Sequence, residues 1–153
     1  MAVTIGDPAP LFTLPGVQDG QRRAHSLAEH AGRNVVLVFY PGDNTPVCTR
    51  QLNAYTDDVA RFADLDADVL AVSPQGLDSH EGFATAQGGF AFPLLADEDK
   101  AVAEAYGVLG PMGYYRRCIV IVGPDGRIRH VRRGHAASNF RSVDELTSLL
   151  AQD

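Results

Sequence analysis

Residues 34–52 read NVVLVFYPGDNTPVCTRQL, and the pattern changes twice within them. Residues 34–40 form a continuous apolar run rich in β-branched and aromatic types, as expected of a strand buried on both faces. A proline-bearing loop follows, with Pro41, Gly42 and Pro46 breaking any regular period. Beyond it Leu52, Tyr55, Val59 and Phe62 recur at helical spacing, which places all four on one face. A buried strand therefore runs through a short loop into an amphipathic helix that begins near Cys48.

Two further runs, DVLAVS at 68–73 and CIVIV at 118–122, also read as buried strands. Asp78 with Glu81 marks the start of a second helix, and Asp97 a third that ends near Tyr106 and Gly107. Ser142 and Glu145 have capping-box spacing and open a C-terminal helix with Val143, Leu146 and Leu150 inward. Gly123-Pro124-Asp125-Gly126 lies between the 118–122 run and residues 127–132, the signature of a tight antiparallel hairpin. Early βαβ alternation followed by a hairpin and a helix predicts an α/β fold: a thioredoxin-like three-layer sandwich with a mixed central sheet flanked by helices. No repeat or linker divides the chain, so residues 1–153 are expected to form one domain.

The formal charge of −6 disfavours general binding to nucleic acid or an anionic membrane. Arg127, Arg129, Arg132 and Arg133 form a local basic stretch that reads as a solvated strand edge. No apolar stretch approaches the roughly 20 residues needed to cross a bilayer, and the first ten residues carry no leader pattern. A soluble, cytoplasmic protein is expected. Two cysteines are too few for a disulfide scaffold and lack CxxC or zinc-ligand spacing, so their interest is as thiols. His25, His30, His80, His130 and His135 show no paired-ligand pattern, and no metal is expected.

Cys48 stands in the first turn of its helix, where unpaired backbone N–H groups and the helix dipole favour a thiolate over a thiol. Lowering a thiol pKa from ~8.5 to ~6 raises the thiolate fraction at pH 7 roughly thirtyfold, while nucleophilicity falls about tenfold. The net gain is only a few-fold. Fast attack on a peroxide therefore needs donors aimed at the two oxygens, where charge grows as the O–O bond lengthens.

Pro41, Thr45 and Cys48, in the order PxxxTxxC, resemble the active-site pattern of the peroxiredoxin family, within a TPxCT context similar to its bacterioferritin-comigratory, or Q-type, branch. The opening GDPAPLFTL at 6–14, the run VVLVFYP and Arg117 before CIVIVGPDG fall where that family has similar segments, so the likeness spans residues 3–150. The resemblance implies a peroxidatic thiolate at Cys48 and a Thr45 hydroxyl held between thiolate and peroxide. It implies that Arg117 fixes the thiolate and polarises the peroxide, and that Pro41 shields the site from water. Each role suits its residue type, since a guanidinium stays charged and a hydroxyl both donates and accepts. Hydrogen peroxide and organic hydroperoxides would be the substrates, a sulfenic acid the first product, and no cofactor is implied.

The chain departs from that pattern in places. Asn53 stands where many Q-type relatives carry a resolving cysteine, residues 81–89 contain none, and Val47 and Gln51 replace a Gly and a Glu common in that branch. With Arg117 turned toward the site, strand alternation sends Cys118 to the opposite face of the sheet, where it reads as a core thiol. A one-cysteine mechanism is expected, with a thioredoxin-like protein or a low-molecular-weight thiol as reductant, in a monomer or homodimer. Arg116 is expected to face away from the site. Tyr40 ends a buried strand, and the apolar stretch from Tyr106 to Tyr115 borders the site, a subunit contact or neither.

Two other functions fit a reactive thiol. A thiol-disulfide exchanger predicts a CxxC pair, which Cys48-Thr49-Arg50-Gln51 lacks. A redox sensor or oxidation-activated chaperone would use the same cysteine without turnover.

Overall fold

The computed structural model describes residues 3–133 and 140–152; His135 lies outside them. Among the described residues seven strands form one sheet: β1 (Thr13–Gln18), β2 (Gln21–Ser26), β3 (Asn34–Phe39), β4 (Ala67–Ser73), β5 (Leu94–Ala96), β6 (Cys118–Val122) and β7 (Ile128–Arg133), in the order β2-β1-β5-β4-β3-β6-β7. β3, β4 and β5 run parallel, and the remaining pairings are antiparallel. The helices are α1 (Pro46–Asp57), α2 (Val59–Ala63), α3 (Leu77–Ala86), α4 (Ala101–Ala105) and α5 (Val143–Ala151).

The alternation of strand side chains makes two cores from one sheet. Val36 and Val38 of β3 with Ile119 and Ile121 of β6 face Cys48, Leu52, Tyr55, Phe62, Phe83 and Leu146, on the side of α1, α2, α3 and α5. Val35, Leu37 and Phe39 with Cys118, Val120 and Val122 face Val102, Ala103 and Tyr106 on the other side. The sheet with helices on both faces is the three-layer, mixed α/β arrangement of thioredoxin-like proteins. The three apolar runs are its central strands, and every residue of β3 and β6 is buried.

The helix expected to carry Leu52, Tyr55, Val59 and Phe62 on one face is broken. Asp58, at φ −109° and ψ 23°, ends α1, and α2 starts anew at Val59. Leu52, Tyr55 and Phe62 are fully buried and Val59 only partly. Two consecutive aspartates, poor helix formers, occupy the break. The third helix is shorter than the sequence implies, because residues 97–100 build its entry. The Asp97 carboxylate accepts hydrogen bonds from the backbone N–H groups of Val102 and Ala103, and Lys100 adopts a left-handed φ of 62°. At the other end of the chain Ser142 caps α5 by accepting from the Glu145 N–H at 3.1 Å, as the capping-box spacing predicts.

The hairpin of β1 and β2, and the three-residue β5, carry no apolar alternation and were not legible in the sequence. Asp19 and Gly20 turn that hairpin with φ of 52° and 76°, the pair of positive values that a two-residue connection matched to strand twist requires. Gly16 in β1 lies so close to Leu95 and His25 that a Cβ there would collide with both. β7 is an edge strand, as the basic stretch suggests, but its arginines are tied to the body of the protein. Arg129 donates to the Asn34 side chain, Arg133 to the Gly107 carbonyl, and Arg132 lies 3.6 Å from Glu145. No helix among the described residues is long and apolar enough to cross a membrane.

Candidate active site

β3 delivers the chain to one end of the sheet, where Tyr40 N–H still bonds to the Val72 carbonyl of β4. The chain then turns through residues 41–45, with Asn44 at a positive φ of 62°, a conformation that asparagine tolerates better than most side chains. Thr45 is the extended residue before α1 and Pro46 its first residue, a position where the missing N–H costs nothing. Cys48 is third in the helix. The Thr45 side chain does not cap α1, and the backbone N–H groups of Val47 and Cys48, in the first turn, have no acceptor within the helix and point toward the site of an anion.

The Cys48 thiol is fully buried in the core on the α1 side. Nη2 of Arg117 lies 3.4 Å from its sulfur. Arg117 precedes β6 and shares the sheet face of Ile119, whereas Arg116 is exposed. The other terminal nitrogen of Arg117 donates to Oε1 of Gln51, and its Nε is buried with no protein partner among the described residues. Gln51 is one helical turn beyond Cys48 and wholly buried. Its amide donates to the Tyr55 hydroxyl at 3.2 Å, which in turn donates to the Arg141 carbonyl at 2.5 Å. Burial pushes the Tyr55 phenol well above its usual range, so it remains a neutral donor in this chain of bonds. Among the described residues no carboxylate lies within ion-pair distance of Arg117, so the residue that holds this guanidinium is a neutral amide.

Of the four residues singled out in the sequence, Cys48 and Arg117 are in direct contact. The Thr45 hydroxyl donates to the Gly42 carbonyl at 3.2 Å, and both Thr45 and Pro41 are exposed. Cys118 is buried on the opposite side of the sheet from Cys48, as strand alternation requires. Loss of solvation pushes its thiol up to about 11, which keeps it protonated near neutrality. Both cysteines are free. Tyr106 and Tyr115 are buried while Met112 and Tyr114 are exposed, so the apolar stretch between them is half core and half surface.

Sequence reading noticed Gln51 only as a departure from a family pattern. Its place in the site was signalled by its spacing of three from Cys48 and four from Tyr55, a polar residue on a helix stripe that is otherwise inward. Asp43 and His80 also meet near the turn, but they are 37 positions apart and no local pattern links them.

Residues 5–131 match the model of the AhpC/TSA family. Peroxiredoxin tpx1 of Schizosaccharomyces pombe is 34% identical over 157 residues, covering 98% of this chain and 81% of its own. Peroxiredoxin-2 of Rattus norvegicus is 35% identical over 153 residues, covering 95% and 77%. Among solved structures, Enterococcus faecalis AhpC superposes with a TM-score of 0.90 at 26% identity, over 99% of this chain and 92% of that one. A cysteine at a helix start with an arginine against its sulfur, on a fold and sequence shared with these proteins over most of their length, places the chain in the AhpC/TSA family as a peroxiredoxin, a thiol-dependent hydroperoxide reductase.

Proposed function

We propose that Cys48 is the peroxidatic cysteine and that the enzyme works with this cysteine alone, reduced by an external thiol. The observation that carries the reading is the 3.4 Å contact between Arg117 Nη2 and Cys48 Sγ, on the face of the sheet that Cys118 does not share. The thiolate attacks one oxygen of a hydroperoxide. The S–O bond forms as the O–O bond breaks, the sulfur gives up two electrons, and the leaving oxygen takes a proton and departs as water or an alcohol. Arg117 Nη2 and its Nε, which has no partner among the described residues, supply fixed cationic donors to the peroxide, and the N–H groups of Val47 and Cys48 supply two more. The Thr45 proton, now given to Gly42, turns toward the peroxide when substrate enters, and Pro41 covers the turn from outside.

Resolution follows from burial. One external thiol attacks the Cys48 sulfenic acid, releasing water and forming a mixed disulfide. A second thiol releases reduced Cys48 and carries off the disulfide. Since the sulfur is fully covered, the first turn of α1 opens to admit the reductant. The cytoplasm, where low-molecular-weight thiols and redoxins are kept reduced, is the proposed place of work.

The test is one equivalent of hydrogen peroxide added to the reduced wild type, Cys48→Ser and Cys118→Ser, with a sulfenic-acid trap and intact mass as readout. Trapping at Cys48 that survives Cys118→Ser and vanishes in Cys48→Ser is expected. A Cys48–Cys118 disulfide would overturn the one-cysteine mechanism, and an unreactive Cys48 would overturn its role.

A further inference from the structure

Behind the turn that leads to Cys48 lies a buried polar cluster that the reaction above does not use. The Asp43 side chain is completely covered; it accepts hydrogen bonds of 2.7 Å from the Tyr40 and Ser79 hydroxyls and lies 2.7 Å from Nδ1 of His80. The Asp43 backbone N–H donates to the side-chain oxygen of Gln75. His80, from α3, is equally covered, and its Nε2 lies 3.0 Å from the Leu95 carbonyl of β5. The imidazole is thus held at both ring nitrogens, by the Asp43 carboxyl group at one and the Leu95 carbonyl at the other.

A buried polar cluster of this kind contributes little net stability, because the cost of desolvating its groups offsets most of their attraction. Its location gives it another use. Asp43 is two residues before Thr45 and five before Cys48, with Asn44 between them held at a left-handed φ. The cluster reaches from this turn to the end of β3, to α3 and to β5, elements whose places are fixed by the sheet. Tyr40, one of its members, also packs in the core cluster that holds Cys48.

We propose that Asp43 and His80 are positioning residues for peroxide reduction, the buried hydrogen-bonded pair fixing the turn that leads through Thr45 into the first turn of α1, where Cys48 stands. The inference rests on the reading of Cys48 as the peroxidatic thiol. Neither residue touches the peroxide, and both act through the turn. Misplacing the donors by a fraction of an ångström slows attack on the peroxide, whereas reduction of the sulfenic acid, which requires the turn to open, does not depend on the closed geometry.

The two half-reactions separate these effects. In stopped-flow experiments Asp43→Asn and His80→Gln are each expected to lower the rate constant for Cys48 oxidation by hydrogen peroxide about tenfold or more. Reduction of the Cys48 sulfenic acid by dithiothreitol keeps its rate or becomes faster. A variant that is merely less folded would show a smaller reactive fraction at an unchanged rate constant, and that result overturns the proposal. Equal slowing of both half-reactions, or no slowing, also overturns it. If neither variant folds, Ser79→Ala decides, since it removes one donor to Asp43: slower oxidation alone supports the proposal, and an unchanged rate refutes it. A slow reaction of the wild type would instead refute the peroxidatic role of Cys48, so the two failures are distinguishable.

Discussion

The guanidinium of Arg117 stands 3.4 Å from the sulfur of Cys48 and is oriented by a neutral amide, Gln51. One terminal nitrogen is committed to Gln51, one faces the sulfur, and Nε has no protein partner among the described residues. The residue thus has both an anchor and free donors, which a point charge on a flexible stem would not provide. Arg117→Lys is expected to lose most of the peroxide rate, roughly a hundredfold, since it keeps charge but not the fixed fork. Arg117→Ala should cost at least as much. The rate constant for Cys48 oxidation, measured by rapid mixing, checks both, and a lysine variant as fast as wild type would remove the geometric role.

Gln51 distinguishes orientation from charge. Gln51→Leu leaves Arg117 without its acceptor and the Tyr55 hydroxyl without a donor in a buried site, which should cost about 1–3 kcal/mol of stability. It should also slow oxidation, because Arg117 then lacks its anchor. Gln51→Glu keeps the acceptor for Arg117 and gives up the donor to Tyr55. Its oxidation rate is expected to stay closer to wild type than that of Gln51→Leu. Denaturant titration and the oxidation rate, measured on both variants, check the two halves of this expectation. Equal slowing in both would show that the neutral amide, not the anchor, matters.

The central strands and the hairpin at 123–126 were legible because burial on both faces leaves an unbroken apolar run, and a tight turn needs particular residues. The outer hairpin was not. Strand β2 reads QRRAHS with only His25 buried, and β1 contains Pro15 and Gly16, so neither shows a strand period. The break between α1 and α2 was hidden because apolar spacing continues across Asp58 while the helix axis does not. In the site, Cys48, Thr45 and Pro41 lie within eight residues and Arg117 at a strand entrance, so local pattern reaches them. Gln51 meets Arg117 across 66 positions and Asp43 meets His80 across 37. Contacts of that separation are made by topology, and a local period carries no trace of them.

Asp97 is expected to matter for stability rather than chemistry. Its carboxylate accepts from the Val102 and Ala103 N–H groups and from the Tyr115 hydroxyl, all buried. Asp97→Ala strands three donors and should destabilise the protein by about 3–5 kcal/mol, enough to threaten folding. Asp97→Asn, which keeps one acceptor oxygen, should cost less. Thermal unfolding of the two variants gives the order, and the oxidation rate of the folded fraction should be unchanged, because α4 lies on the sheet face away from Cys48.

Cys118 makes stability depend on pH on the alkaline side. Burial raises its thiol from 9.0 to about 11 in the folded protein, so between these values the unfolded chain ionises while the folded one stays protonated. Above about pH 9 the unfolded state therefore binds fewer protons, and stability falls as pH rises. The contribution is fully present below pH 9 and has gone by about pH 11, an effect on the order of 2–3 kcal/mol. Cys118→Ala removes this titration but leaves a small cavity, so the variant should be less stable than wild type at pH 7.5 and should lose less stability on going to pH 10.5. Urea unfolding of both proteins at the two pH values measures the difference. Equal losses would mean that the thiol is solvated in the folded state, and that Cys118 is reachable by reagents, and by an oxidised Cys48 of a neighbouring molecule, after all.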